Sequence, residues 1–106
     1  MRFSDARRYA LTLPDTAEAP HHHYESFRVR GKIFATVPPG RRHLHVFVGE
    51  EQRELALARF PEAVEKLWWG KKVVGLKIRL APTSAVFVKQ LLYEAWRLKA
   101  PKSLTA

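Results

Sequence analysis

The residues best equipped for chemistry in this 106-residue chain are a cluster of cations around one glycine and a run of three histidines. In "YESFRVRGKIFATV" (24–37), Arg28, Arg30 and Lys32 surround Gly31, and after Glu25 no acid occurs until Glu50. Guanidinium and ammonium groups at the tip of a hairpin suit phosphate oxygens. On a turn with no partner, the same groups keep the tip solvated and discourage edge pairing. "HHH" (21–23) offers imidazoles to a metal ion, with His21 and His23 on one side of an extended segment, or to proton transfer with Glu25 or Ser26 nearby. Neither pattern completes itself. The chain has no cysteine, no carboxylate set at ligand spacing, no nucleophile–base–orienter trio and no glycine-rich phosphate loop. The sequence therefore predicts no catalytic residue, metal, cofactor or small-molecule substrate.

The formal charge of +9 points to a polyanionic partner, and its distribution sharpens the point. Residues 26–49 hold five cations and no acid; residues 66–106 hold nine cations and one acid. Residues 50–65 instead hold two cations against five acids. Segregation of this kind predicts one positive side where the two basic blocks meet. A hydrophobic share of 46% argues against disorder, and the length suits one domain over 1–106. No apolar run is long enough to span a membrane, and the start lacks the pattern of a secretory signal. The expectation is a cytoplasmic protein with no membrane role.

Periodicity supplies the elements that must position these groups. Ser4 can cap a first helix, with Ala6, Tyr9, Ala10 and Leu13 on one face and Pro14-Asp15 ending it. Phe27 and Val29, then Ile33, Ala35 and Val37, alternate as two strands. A three-residue loop, Arg30-Gly31-Lys32, would pair Val29 with Ile33 and Phe27 with Ala35. "PPGRR" (38–42) is a second turn carrying Arg41 and Arg42, and Leu44, Val46 and Val48 form a third strand. Residues 50–60 form a helix whose opening acids favour its dipole. Residues 63–69 read as a strand, as do Val74, Leu76, Ile78 and Leu80. Thr83 or Ser84 caps a last helix, with Val88, Leu91, Leu92, Ala95 and Leu98 as its buried stripe.

The order is α-β-β-β-α-β-β-α, an α+β domain with an antiparallel sheet and its helices on one face. The uncovered face would then display Arg28, Phe34, Thr36, His45, Phe47, Lys77 and Arg79. Cations interleaved with aromatic rings suit nucleic acid, since phosphates meet the charges and bases stack on the rings. Lys71 and Lys72, just past Trp69-Gly70, extend that surface. Trp68, Trp69 and Trp96 are first candidates for the core, with Trp69 the best placed for exposure because Gly70 turns the chain after it. Phe34 and Phe47 exposed together would equally serve a protein partner or a homodimer.

"SFRVRGKIFATV" (26–37), Leu13-Pro14, Pro20-His21, Phe60-Pro61, Trp69-Gly70 and "AWRLKAPKSL" (95–104) together resemble the MmcQ/YjbR family of small bacterial proteins. The resemblance spans nearly the whole chain. It implies a secretion-chaperone-like fold in which hairpins form a double wing, and a DNA-binding role, with DNA favoured over RNA. Val73-Val74 stand where the family often has a second aromatic after its Trp-Gly. With the charge pattern, the resemblance makes Arg28, Arg30, Lys32, Arg41, Arg42, Lys71, Lys72, Lys77 and Arg79 the expected phosphate contacts. Phe34, Phe47 and Trp69 are the expected aromatics beside them.

Overall fold

Alternation does make strands of the segments around Phe27 and Ala35, but the sheet begins earlier in the chain. The computed structural model describes residues 1–105. Helix α1 (Phe3–Thr12) is followed by four strands, β1 (Thr16–His21), β2 (Tyr24–Val29), β3 (Lys32–Val37) and β4 (His43–Val46). Then come helix α2 (Glu50–Arg59), strands β5 (Val64–Trp69) and β6 (Lys72–Arg79), helix α3 (Ala85–Lys99) and a short α4 (Lys102–Thr105). The six strands make one antiparallel sheet in the order β1-β2-β3-β4-β6-β5. The mixed architecture with a helix layer on an antiparallel sheet is the one that the periodicity predicts.

Strand β1 is the element the periodicity does not show. Its sequence, TAEAPH, has one β-branched residue and a proline. Proline is tolerated because β1 is an edge strand. Pairing runs Thr16↔Val29 through His21↔Tyr24, so His21 closes β1 and His22 and His23 form the turn, and the three histidines do not run along one extended segment. His22 takes a positive φ of 56° there. Ser4 is not a cap either. Arg2 holds the N-cap position without a side-chain bond, and Ser4 lies inside the first turn. In α3, by contrast, Ser84 accepts from the Phe87 N–H as predicted.

The hairpin around Gly31 is tighter than the predicted three-residue loop. Arg30 (φ 48°) and Gly31 (φ 83°) form a two-residue turn with positive φ at both positions, a geometry whose twist matches that of the flanking strands. Val29 then pairs with Lys32 and Arg28 with Ile33. Such a register alone would mix the faces, but a bulge follows at once. Phe27 pairs with Ala35, so β3 carries one residue more than β2. The extra residue re-aims the local side chains, and Phe34 enters the core at 0% exposure.

Helices α1, α2 and α3 cover one face of the sheet. Phe27, Val29, Leu44, Val46, Leu76 and Ile78 meet Val88, Leu91, Leu92 and Ala95 in one cluster with Ala6 and Ala10. Trp96 completes the α3 stripe at 2% exposure, and its Nε1 donates to the Pro14 carbonyl at 3.0 Å. Leu98, predicted in that stripe, is 59% exposed; Trp96 fills the core position in the final turn instead.

Candidate functional site

Antiparallel pairing decides which turns share an end of the sheet. β2 runs toward Arg30-Gly31, β3 returns, β4 runs the first way again, β6 returns and β5 runs the first way. The β2–β3 tip (Arg30, Gly31, Lys32) and the β5–β6 tip (Trp69, Gly70, Lys71, Lys72) therefore project from the same end, here the tip end. The β3–β4 turn lies at the opposite end. Arg41 and Arg42 thus sit away from Arg30 and Lys32, so the two wings are not the turns adjacent in sequence. Arg79, at the close of β6, also lies at the far end.

Ion pairing separates these cations further. Arg30 Nε donates to Asp15 Oδ2 at 2.8 Å. Arg41 Nε donates to Glu25 Oε1 at 2.7 Å and its guanidinium stands over the Phe3 ring. Lys77 lies 3.9 Å from Glu65, and Arg79 donates to the Glu62 carbonyl. Among the described residues Lys32, Lys71, Lys72 and Arg42 have no acid partner and are exposed. Three of the four are at the tip end. Exposed ion pairs are weak, so Arg30 can exchange Asp15 for another anion at little cost.

The same end of the sheet also leads into acids. Gly49 carries the chain from the tip end of β4 into α2, whose first turn holds Glu50 and Glu51. These acids belong to the helix layer.

The middle of that face is not the exposed basic-aromatic surface the alternation predicts. Cross-strand pairing lines up Ala19, Ser26, Thr36, His45, Lys77 and Glu65 in one row. Ser26, Thr36 and His45 are buried, at 0%, 5% and 8% exposure. Ser26 Oγ donates to the Ala19 carbonyl at 2.7 Å and accepts from Arg28 Nε at 3.0 Å. Arg28 also reaches the Pro20 carbonyl, so its side chain lies along the sheet and is half-buried. The Tyr24 ring stands 5.8 Å from that of His45. Small residues in the row let Arg28 and Tyr24 fold down over them. Phe34 is absent from this face because of the bulge, and Phe47 is half-buried. An apolar joint through Phe34 and Phe47 would need Phe34 at the surface.

Burial holds His45 well below its ordinary value, to about 4, with Lys77 and then His43 adding repulsion. Thr36 Oγ1 lies 3.3 Å from its Nδ1. The unfolded chain thus binds a proton between about pH 6.5 and about pH 4 that the folded chain refuses. Stability should fall as pH drops through that window. An NMR titration of the His45 ring should show a midpoint near 4, and a midpoint near 6.5 would contradict the buried, neutral ring.

Trp69, placed here by the Gly70 turn as predicted, is 80% exposed, and Trp68 is 58% exposed. Nothing in the composition distinguishes Trp68 from a core residue. Its place at the last paired rungs of a hairpin, beyond the helix layer, leaves it uncovered. Among the described residues no three His, Asp or Glu side chains converge as a metal site would require, and no helix is long and apolar enough to cross a membrane.

A family model described as YjbR matches residues 11–98. The crystal structure of Deinococcus radiodurans protein DR2400, which carries a domain described as DUF419, superposes with a TM-score of 0.76 at 18% identity. The match covers 92% of this chain and 77% of that one, and at this identity it speaks for the fold. No curated protein matches the sequence.

Proposed function

The chain belongs to the YjbR family, and from that premise we propose that it is a non-catalytic DNA-binding protein whose two hairpin tips grip phosphates from one end of the sheet. The observation that carries this reading is the shared end. Lys32 on one tip and Lys71 and Lys72 on the other project from the same end of the sheet, exposed and, among the described residues, without acid partners. Arg30 adds a fourth cation through an exchangeable surface pair. The affinity is electrostatic and only weakly dependent on sequence, because among the described residues the two tips are hairpin turns rather than a helix that could read base edges. Arg28 and Lys77, lying along the open face, extend the positive path away from the tips; Arg41, Arg42 and Arg79, at the far end, lie outside it.

Fluorescence anisotropy with labelled duplex DNA, on protein freed of co-purified nucleic acid, tests this. Each phosphate neutralised contributes about −0.9 to the slope of log affinity against log salt. Three to four tip cations predict a slope of about −3. No binding at low salt, or a slope near zero, would overturn the reading.

A further inference from the structure

We infer that Trp69 is a stacking surface for an unpaired base, so that the tip end prefers DNA with single-stranded character over intact duplex. The inference rests on the phosphate-gripping reading of the same end and names the form of nucleic acid it takes. The pairing of β5 with β6 shifts between Leu67 and Trp68, with the extra residue in β6, so β5 keeps its own alternation and puts Glu65, Leu67 and Trp69 on the open face, while Val64, buried at 3%, marks the helix side. Trp69 is paired directly with Lys72, so the two side chains leave neighbouring strands on the same side of the sheet. Lys71 follows in the turn. At 80% exposure the indole forgoes most of the burial that ordinarily retains a tryptophan in a small domain. Trp96 shows the contrast in the same molecule, at 2% exposure with its N–H bonded. The Tyr93 ring lies 5.8 Å from that of Trp96, and among the described residues no aromatic ring packs on Trp69. An exposed indole beside cations has charge complementarity for a polyanion, and a planar face that stacks on any base. A paired base inside a duplex hides its face, whereas an unpaired one can swing onto the ring.

The test compares labelled oligothymidylate with an abasic deoxyribose-phosphate oligomer of equal length, which has the same phosphates and no bases. Wild-type protein should bind oligothymidylate about tenfold more tightly than the abasic oligomer. Trp69→Ala should erase that difference while leaving the salt slope intact, and Trp69→Phe should restore most of it. Equal binding to both oligomers by wild type would overturn the stacking role and leave the phosphate reading standing. Failure to bind either oligomer or duplex at low salt would overturn both. The Trp69 variants are expected to fold, since the side chain contributes little to the core, and circular dichroism checks this.

Discussion

Replacing Lys32, Lys71 and Lys72 together with glutamine should weaken DNA binding roughly a hundredfold near physiological salt and flatten the salt slope by about 2.7. Each lysine is exposed, and none has an acid partner among the described residues, so no ion pair in the protein is broken and stability should change little. The informative comparison is Arg42→Gln. This arginine is equally exposed and unpaired, but the β3–β4 turn places it at the other end of the sheet. Its loss should change affinity by roughly twofold at most, because screening limits its reach to about 8–10 Å at working salt. Equal losses from the two variants, per charge removed, would mean that net charge alone attracts DNA and that the shared end is incidental.

Gly75→Ala should cost the fold on the order of 3–5 kcal/mol, the largest stability effect expected of so small a change. Gly75 lies in β6, where a Cβ would overlap the Val46 carbonyl oxygen and also meet Val46 C at 3.0 Å and Phe47 Cα at 3.1 Å. All three obstacles are backbone, so no rotamer change relieves them. Strands β4 and β6 would have to part where the β5–β6 hairpin joins the rest of the sheet. Urea unfolding should show a midpoint far below that of wild type, or no cooperative transition. A midpoint within about 1 kcal/mol of wild type would show that the strands separate cheaply. Gly31 and Gly70 differ in kind: both have open space where a Cβ would go, and their positive φ of 83° and 62° is what a substitution would strain.

The elements that position the tips were legible wherever a face is buried without interruption. The α3 stripe through Val88, Leu91, Leu92 and Ala95, and the alternation of Leu76 and Ile78 in β6, record the core directly. β1 was hidden because an edge strand needs few apolar residues, and TAEAPH has hardly any. Phe34 departs from simple alternation because a bulge adds one residue to β3 and turns its side chain to the core. The sequence contains Arg30-Gly31, a turn that wants positive φ, yet choosing it required accepting the bulge that reconciles the faces. The shared end of the two tips was beyond sequence reading for another reason. It depends on β6 pairing with β4 across the intervening α2 and β5, a long-range contact that no local period encodes. The quiet middle of the open face has a similar origin: Ser26, Thr36 and His45 meet only through the register of three strands.

The most direct test is to titrate isotope-labelled protein with DNA and follow backbone amide shifts by NMR. The account predicts the largest changes at Arg30–Lys32 and Trp69–Lys72, weaker ones near Arg28 and Lys77, and almost none at 38–42. Changes centred on the 38–42 turn or on α2, with the two tips unmoved, would contradict it.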